Sequence, residues 1–97
     1  MTNPITAEQF LTQAAKLMAE RGKEYDTAEQ KERSADKVAT AFNAITGHNL
    51  AGSEVWLLLQ ILKDVRQWTH PRFHQDSAED GIAYAALKAE ALAEQYK

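Results

Sequence analysis

The sequence predicts an all-α protein folded as one compact four-helix bundle. Three observations predict it. Four segments carry apolar residues at helical spacing, no segment shows the period-two alternation of a strand, and only four Gly and two Pro interrupt 97 residues. Residues 1–97 read as a single domain, with 1–5 as a flexible N-terminus.

Thr6-Ala7-Glu8-Gln9 has the form of a capping box and opens the first helix. Phe10, Leu11, Ala14, Leu17 and Met18 supply its apolar stripe, and Gly22 is the expected stop. Thr27-Ala28-Glu29-Gln30 repeats the capping pattern, so a second helix is expected from there to Gly47, with Ala35, Val38, Ala39, Phe42 and Ile45 as its stripe. Ser53 is the expected N-cap of a third helix running to about Trp68. Val55 to Leu62 are apolar on nearly all sides, which predicts a buried central post. Pro71 breaks that helix. A fourth helix is expected to start at Asp76 or Ser77 and to bury Ile82, Ala85, Ala86, Ala89, Leu92, Ala93 and Tyr96.

Composition narrows the function. The net charge of −3 gives no electrostatic case for binding nucleic acid or an anionic membrane. With no cysteine, disulfides, thiolate zinc sites and a cysteine nucleophile are excluded, which fits a reducing compartment. No apolar run reaches membrane-spanning length, and the first residues lack a basic-plus-apolar leader, so a cytoplasmic protein is expected.

The richest stretch is Arg72 to Tyr84. On a helix, Asp76, Asp80 and Tyr84 lie four apart and project from one face. Two carboxylates at that spacing repel, so a nearby cation relieves them. Capping and dipole complementation account for Asp76, Ser77 and Glu79 without a ligand. They account poorly for His74 and Tyr84. A short connection makes the third and fourth helices antiparallel neighbours, so Asp76, Asp80, Tyr84 and His74 are expected to line one cleft with Glu54, Lys63 or Arg66. Glu54 shares a line with Leu58, Ile61 and Val65, although its capping position also explains it.

His70-x3-His74-x-Asp76 contains zinc-ligand types, but Pro71 spoils the helical spacing zinc would use. Carboxylates suit Mg²⁺ better, with Glu54, Asp76 and Asp80 as candidate ligands and Glu29-x-x-Glu32 as a further acidic pair. Arg21, Lys23, Lys63, Arg66, Arg72 and His74 could clamp phosphate, and Tyr25, Trp56, Trp68, Phe73 and Tyr84 could stack a base. Solvation and core packing are the simpler explanations for several of these.

The chain resembles a family of small all-helical phage and prophage proteins from about Phe10 to Leu92. The carriers are Arg21-Gly22-Lys23-Glu24-Tyr25, then Glu54-Val55 with Lys63-x-x-Arg66, then His74-x-Asp76-Ser77-x-x-Asp80-x-x-x-Tyr84. These proteins are distantly similar to MazG-like all-α nucleotide pyrophosphohydrolases. That resemblance implies Mg²⁺ held by Glu-x-x-Glu on one helix and Glu-x-x-Asp on the next, and dimers or tetramers. Here the second element reads Asp76-x-x-Glu79-Asp80, and Asp26 follows Tyr25 where relatives often have Gly.

The resulting expectation is a phage-type protein of the host cytoplasm. It binds a nucleotide or phosphorylated small molecule through Arg21, Tyr25, Lys63, Arg66, His74, Asp76, Asp80 and Tyr84. Mg²⁺-dependent hydrolysis of nucleoside triphosphates is its enzymatic form. The alternative is a non-enzymatic counter-defence protein that sequesters a signalling nucleotide or blocks a host protein. A homo-oligomer is expected through the shallow face of Ala85, Ala86, Ala89 and Ala93.

Overall fold

The computed structural model describes residues 4–25 and 34–97, with 21–25 described by backbone alone. Four helices follow in order: α1 (Ala7–Tyr25), α2 (Ser34–Thr46), α3 (Gly52–Thr69) and α4 (Gln75–Gln95). The all-α bundle is the predicted one, and no strand occurs among the described residues. Helix α3 packs on both α2 and α4, and α1 packs on α4 with Met18 reaching the shared core, giving a body of 52 × 32 × 25 Å.

Local chemistry sets most helix ends. The Thr6 amide donates to Gln9 Oε1 at 2.8 Å and the Gln9 amide donates to Thr6 Oγ1 at 3.2 Å, completing the capping box. Helix α1 continues through Gly22, the expected stop; an interior glycine costs a helix about 1 kcal/mol, which its neighbours can offset. The capping pattern at Thr27, with Glu29 and Glu32, lies outside the described residues. Gly47 ends α2 with φ of 76°, its amide donating to the Asn43 carbonyl at 2.8 Å. Asn43 then clamps the loop: its Nδ2 donates to the Leu50 carbonyl and its Oδ1 accepts the Leu50 amide.

The start of α3 differs from expectation. Ala51, not Ser53, is the N-cap; the Glu54 carboxylate reaches back to accept the Ala51 amide at 2.9 Å. Ser53 is buried instead, donating to Gln95 Oε1 at the far end of α4. A side chain at Gly52 would run into the Asp36 carboxylate, so glycine lets α2 lie against this helix start. Helix α3 ends at Thr69, just before Pro71.

The core is small. Ala35, Ala39, Val55, Trp56 and Leu87 form it, with Met18, Leu50, Leu59, Tyr84 and Ala91 packed against them. Two expectations about burial are overturned. Helix α3 is no buried post: Leu57, Leu58, Ile61, Leu62, Val65 and Trp68 are all exposed. Helix α4 buries Ser77, Glu79, Ala83 and Leu87, whereas Ala86, Ala89, Leu92, Ala93 and Tyr96 are exposed. Of the apolar residues of α3, only Val55, Trp56 and the half-buried Leu59 join the core, and α4 joins it through Leu87, Tyr84 and Ala91, which leaves the remaining apolar strip of α3 and several alanines of α4 outward.

Candidate functional site

The antiparallel pairing of α3 and α4 builds a polar seam through the middle of the protein. At its lower end Ser53 meets Gln95. Above it Trp56 stacks on Tyr84, ring centres 5.8 Å apart and planes 25° from parallel. Offset stacking of this kind adds about 1 kcal/mol to the area that the rings bury. Next along α3, Gln60 Oε1 is buried without a hydrogen-bond partner. One turn on, Lys63 Nζ lies 3.1 Å from Asp80 Oδ2, with their side chains 13% and 19% exposed. Gly81 lies beside this pair, and a Cβ there would meet Lys63 Cβ at 3.7 Å, an ordinary contact, so the approach does not depend on glycine.

The seam ends at the α3–α4 turn, which Gln67 organises. Its Nε2 donates to the Arg72 carbonyl at 3.0 Å, and its Oε1 accepts the His74 amide at 2.8 Å. His74 is the N-cap residue of α4, where Asp76 or Ser77 was expected; its side chain supplies no cap and its Nδ1 lies 2.6 Å from Ser77 Oγ. His70 and His74 face one another, ring centres 5.0 Å apart. Arg66, Thr69, His70, Pro71 and His74 line a shallow cleft of about 410 Å³ there. His74, the N-cap of α4, places the start of that helix at the cleft's edge, alongside Arg66 and His70.

The predicted site residues therefore fall into groups. Lys63, Asp80 and Tyr84 meet along the seam, and Arg66 and His74 share the cleft at the turn. Asp76 is exposed on the first turn of α4. Glu54 is separated from Asp80 because it sits nine residues before Lys63, roughly 14 Å along the axis, and its carboxylate caps α3. The expected trio of Glu54, Asp76 and Asp80 does not assemble. No group of three or more His, Asp or Glu that could hold a metal ion occurs among the described residues. The side chains of Arg21 and Tyr25 lie outside the described residues, as do Glu29 and Glu32.

Residue-by-residue reasoning missed Gln60, Gln67 and the pairing of Trp56 with Tyr84. A signal was present: Gln60, Lys63 and Gln67 recur at i, i+3 and i+7 within an apolar helix, marking a polar strip of their own. A second cleft of about 350 Å³ lies at the opposite end, where Asp36, Glu90 and Glu94 surround Trp56 and Ser53.

These features define a small all-α protein whose central helix pair holds a buried ion pair and ends at a cleft lined by Arg66, His70 and His74. The chain belongs to the family described as Domain of unknown function (DUF6378), whose model matches residues 9–92. No curated protein and no solved structure matches it. No described helix is long and apolar enough to cross a membrane.

Proposed function

We propose that this protein binds a nucleotide or another phosphorylated small molecule, with the phosphate seated in the cleft at the α3–α4 turn. The observation that carries the reading is the meeting of Arg66, His70 and His74 beside the start of α4. A guanidinium offers paired donors to phosphate oxygens, and a helix start favours negative charge. The seam supports this placement by holding the turn in shape through Gln67. The reading carries with it the phage-type, host-cytoplasmic setting and the MazG-like kinship that the resemblance implies.

Sequestration is favoured over hydrolysis by one observation: Lys63 already engages Asp80, the carboxylate expected to serve a metal. Hydrolysis would draw on Glu29 and Glu32, which lie outside the described residues. The test is calorimetric titration of nucleoside triphosphates, cyclic nucleotides and pyrophosphate, with and without Mg²⁺, into wild type, Arg66→Ala and His74→Ala. Both variants should bind at least about tenfold more weakly, a loss of about 1.4 kcal/mol. Binding that is unchanged in both variants removes the cleft from the reading, and a wild type that binds no phosphorylated compound refutes it. Chromatography of the incubated triphosphate separates a binder from a pyrophosphohydrolase.

A further inference from the structure

Helix α3 is amphipathic in the wrong sense for a monomer. Gln60, Lys63 and Gln67 point toward α4, whereas Leu58, Ile61, Leu62, Val65 and Trp68 form a continuous outward stripe at i, i+3, i+4, i+7 and i+10. Leu58 and Val65 are 55% and 53% exposed, and Trp68 is 83% exposed. Val38, Phe42 and Ile45 of the neighbouring α2 are exposed as well.

We propose that this stripe is a two-fold interface with a second copy of the same chain, α3 lying antiparallel to its counterpart. Core size supports it, since among the described residues no large side chain is fully buried and four of the seven buried apolar residues are alanines. Doubling the protein across this face joins two undersized cores.

Charge selects the antiparallel direction. Glu54 stands at one end of the stripe and Arg72 lies just past the other, both exposed. Antiparallel packing puts Glu54 of each copy beside the basic end of its partner, whereas parallel packing sets like beside like. The register that centres the stripe on Lys63 places Ile61 against Val65 of the second copy and Leu58 against Trp68. A two-fold contact of this kind is self-complementary and closes at two copies. The interface differs from the alanine face of α4 predicted from sequence, and it does not depend on the phosphate reading.

Sedimentation equilibrium tests the pairing, with circular dichroism reporting the fold. Wild type should show twice the 10.9 kDa chain mass at micromolar concentration. Ile61→Lys and Val65→Asp should each weaken association at least about tenfold, and mixing the two should restore it because the new charges meet across the axis. If either variant loses helicity alone, regaining it on mixing is the equivalent result. A second measurement leaves the stripe intact and exploits the cysteine-free chain. Glu54→Cys mixed with Arg72→Cys should join through a short bis-maleimide far more efficiently than either does with itself. A monomeric wild type at 100 µM (about tenfold above a 10 µM dissociation constant), a mass beyond two copies, association unaffected by both charges, a mixture without rescue, or self-linking of Glu54→Cys each overturns the proposal.

Discussion

Lys63 of α3 and Asp80 of α4 form an ion pair at 3.1 Å inside the helix–helix seam, both largely withdrawn from water. Two charges in such a place are stabilising only together. Desolvation penalises each one, and their mutual attraction offsets that penalty while fixing the rotation of α4 against α3.

Removing Asp80 alone should therefore cost more than removing both members. Asp80→Leu should destabilise the fold by about 3 kcal/mol, because it leaves the Lys63 ammonium without its counter-ion, and Lys63→Met should destabilise it as well. The double variant should recover at least half of the combined loss. Urea denaturation in a double-mutant cycle reads this directly, and additive losses would show that the two side chains act independently.

Gly47 offers a purely conformational prediction. Its φ of 76° is left-handed, and a Cβ there would meet nothing within 4 Å. Gly47→Ala should cost about 1 kcal/mol through the backbone alone, and Gly47→Asn should cost less because asparagine tolerates this region. Thermal or urea midpoints check the ranking; an alanine as stable as wild type would refute it.

Asn43 acts on the same loop by hydrogen bonding. Both ends of its amide are bonded to the Leu50 backbone, and Leu50 packs on the core. Asn43→Ala should cost about 2 kcal/mol, two bonds at about 1 kcal/mol each. Asn43→Asp keeps the acceptor and should lie between. Hydrogen exchange should localise the loss to the Leu50 amide, and protection there equal to wild type would count against the clamp.

Much of this architecture is legible from residue order, because capping and helix-breaking act locally. The Thr6–Gln9 box, the Gly47 turn and the break before Pro71 all appear where those residues stand. Facing is different. Helix α3 carries enough apolar residues to suggest burial on every side, and nothing local reveals that Gln60, Lys63 and Gln67 are the ones turned inward. That choice depends on Asp80, Ser77 and Tyr84 of another helix, and so does the grouping of site residues. Lys63 with Asp80 follows from antiparallel neighbours of opposite charge. The separation of Glu54 follows from axial distance, which residue type does not encode.

The seam also bears on the order in which the chain folds. Among the described residues, α3 and α4 share the most extensive packing and are joined by a five-residue turn already held by Gln67. Contacts that close over so short a loop form early, since little chain entropy is lost in making them. The hairpin from Gly52 to Gln95 should thus be the folding nucleus, with α1 condensing onto α4 and α2 onto α3 afterward. Substitutions at Ala83 should then slow folding, whereas those at Ala14 or Ala39 should mainly hasten unfolding. Chevron kinetics with the slowing at Ala14 instead would place the nucleus elsewhere.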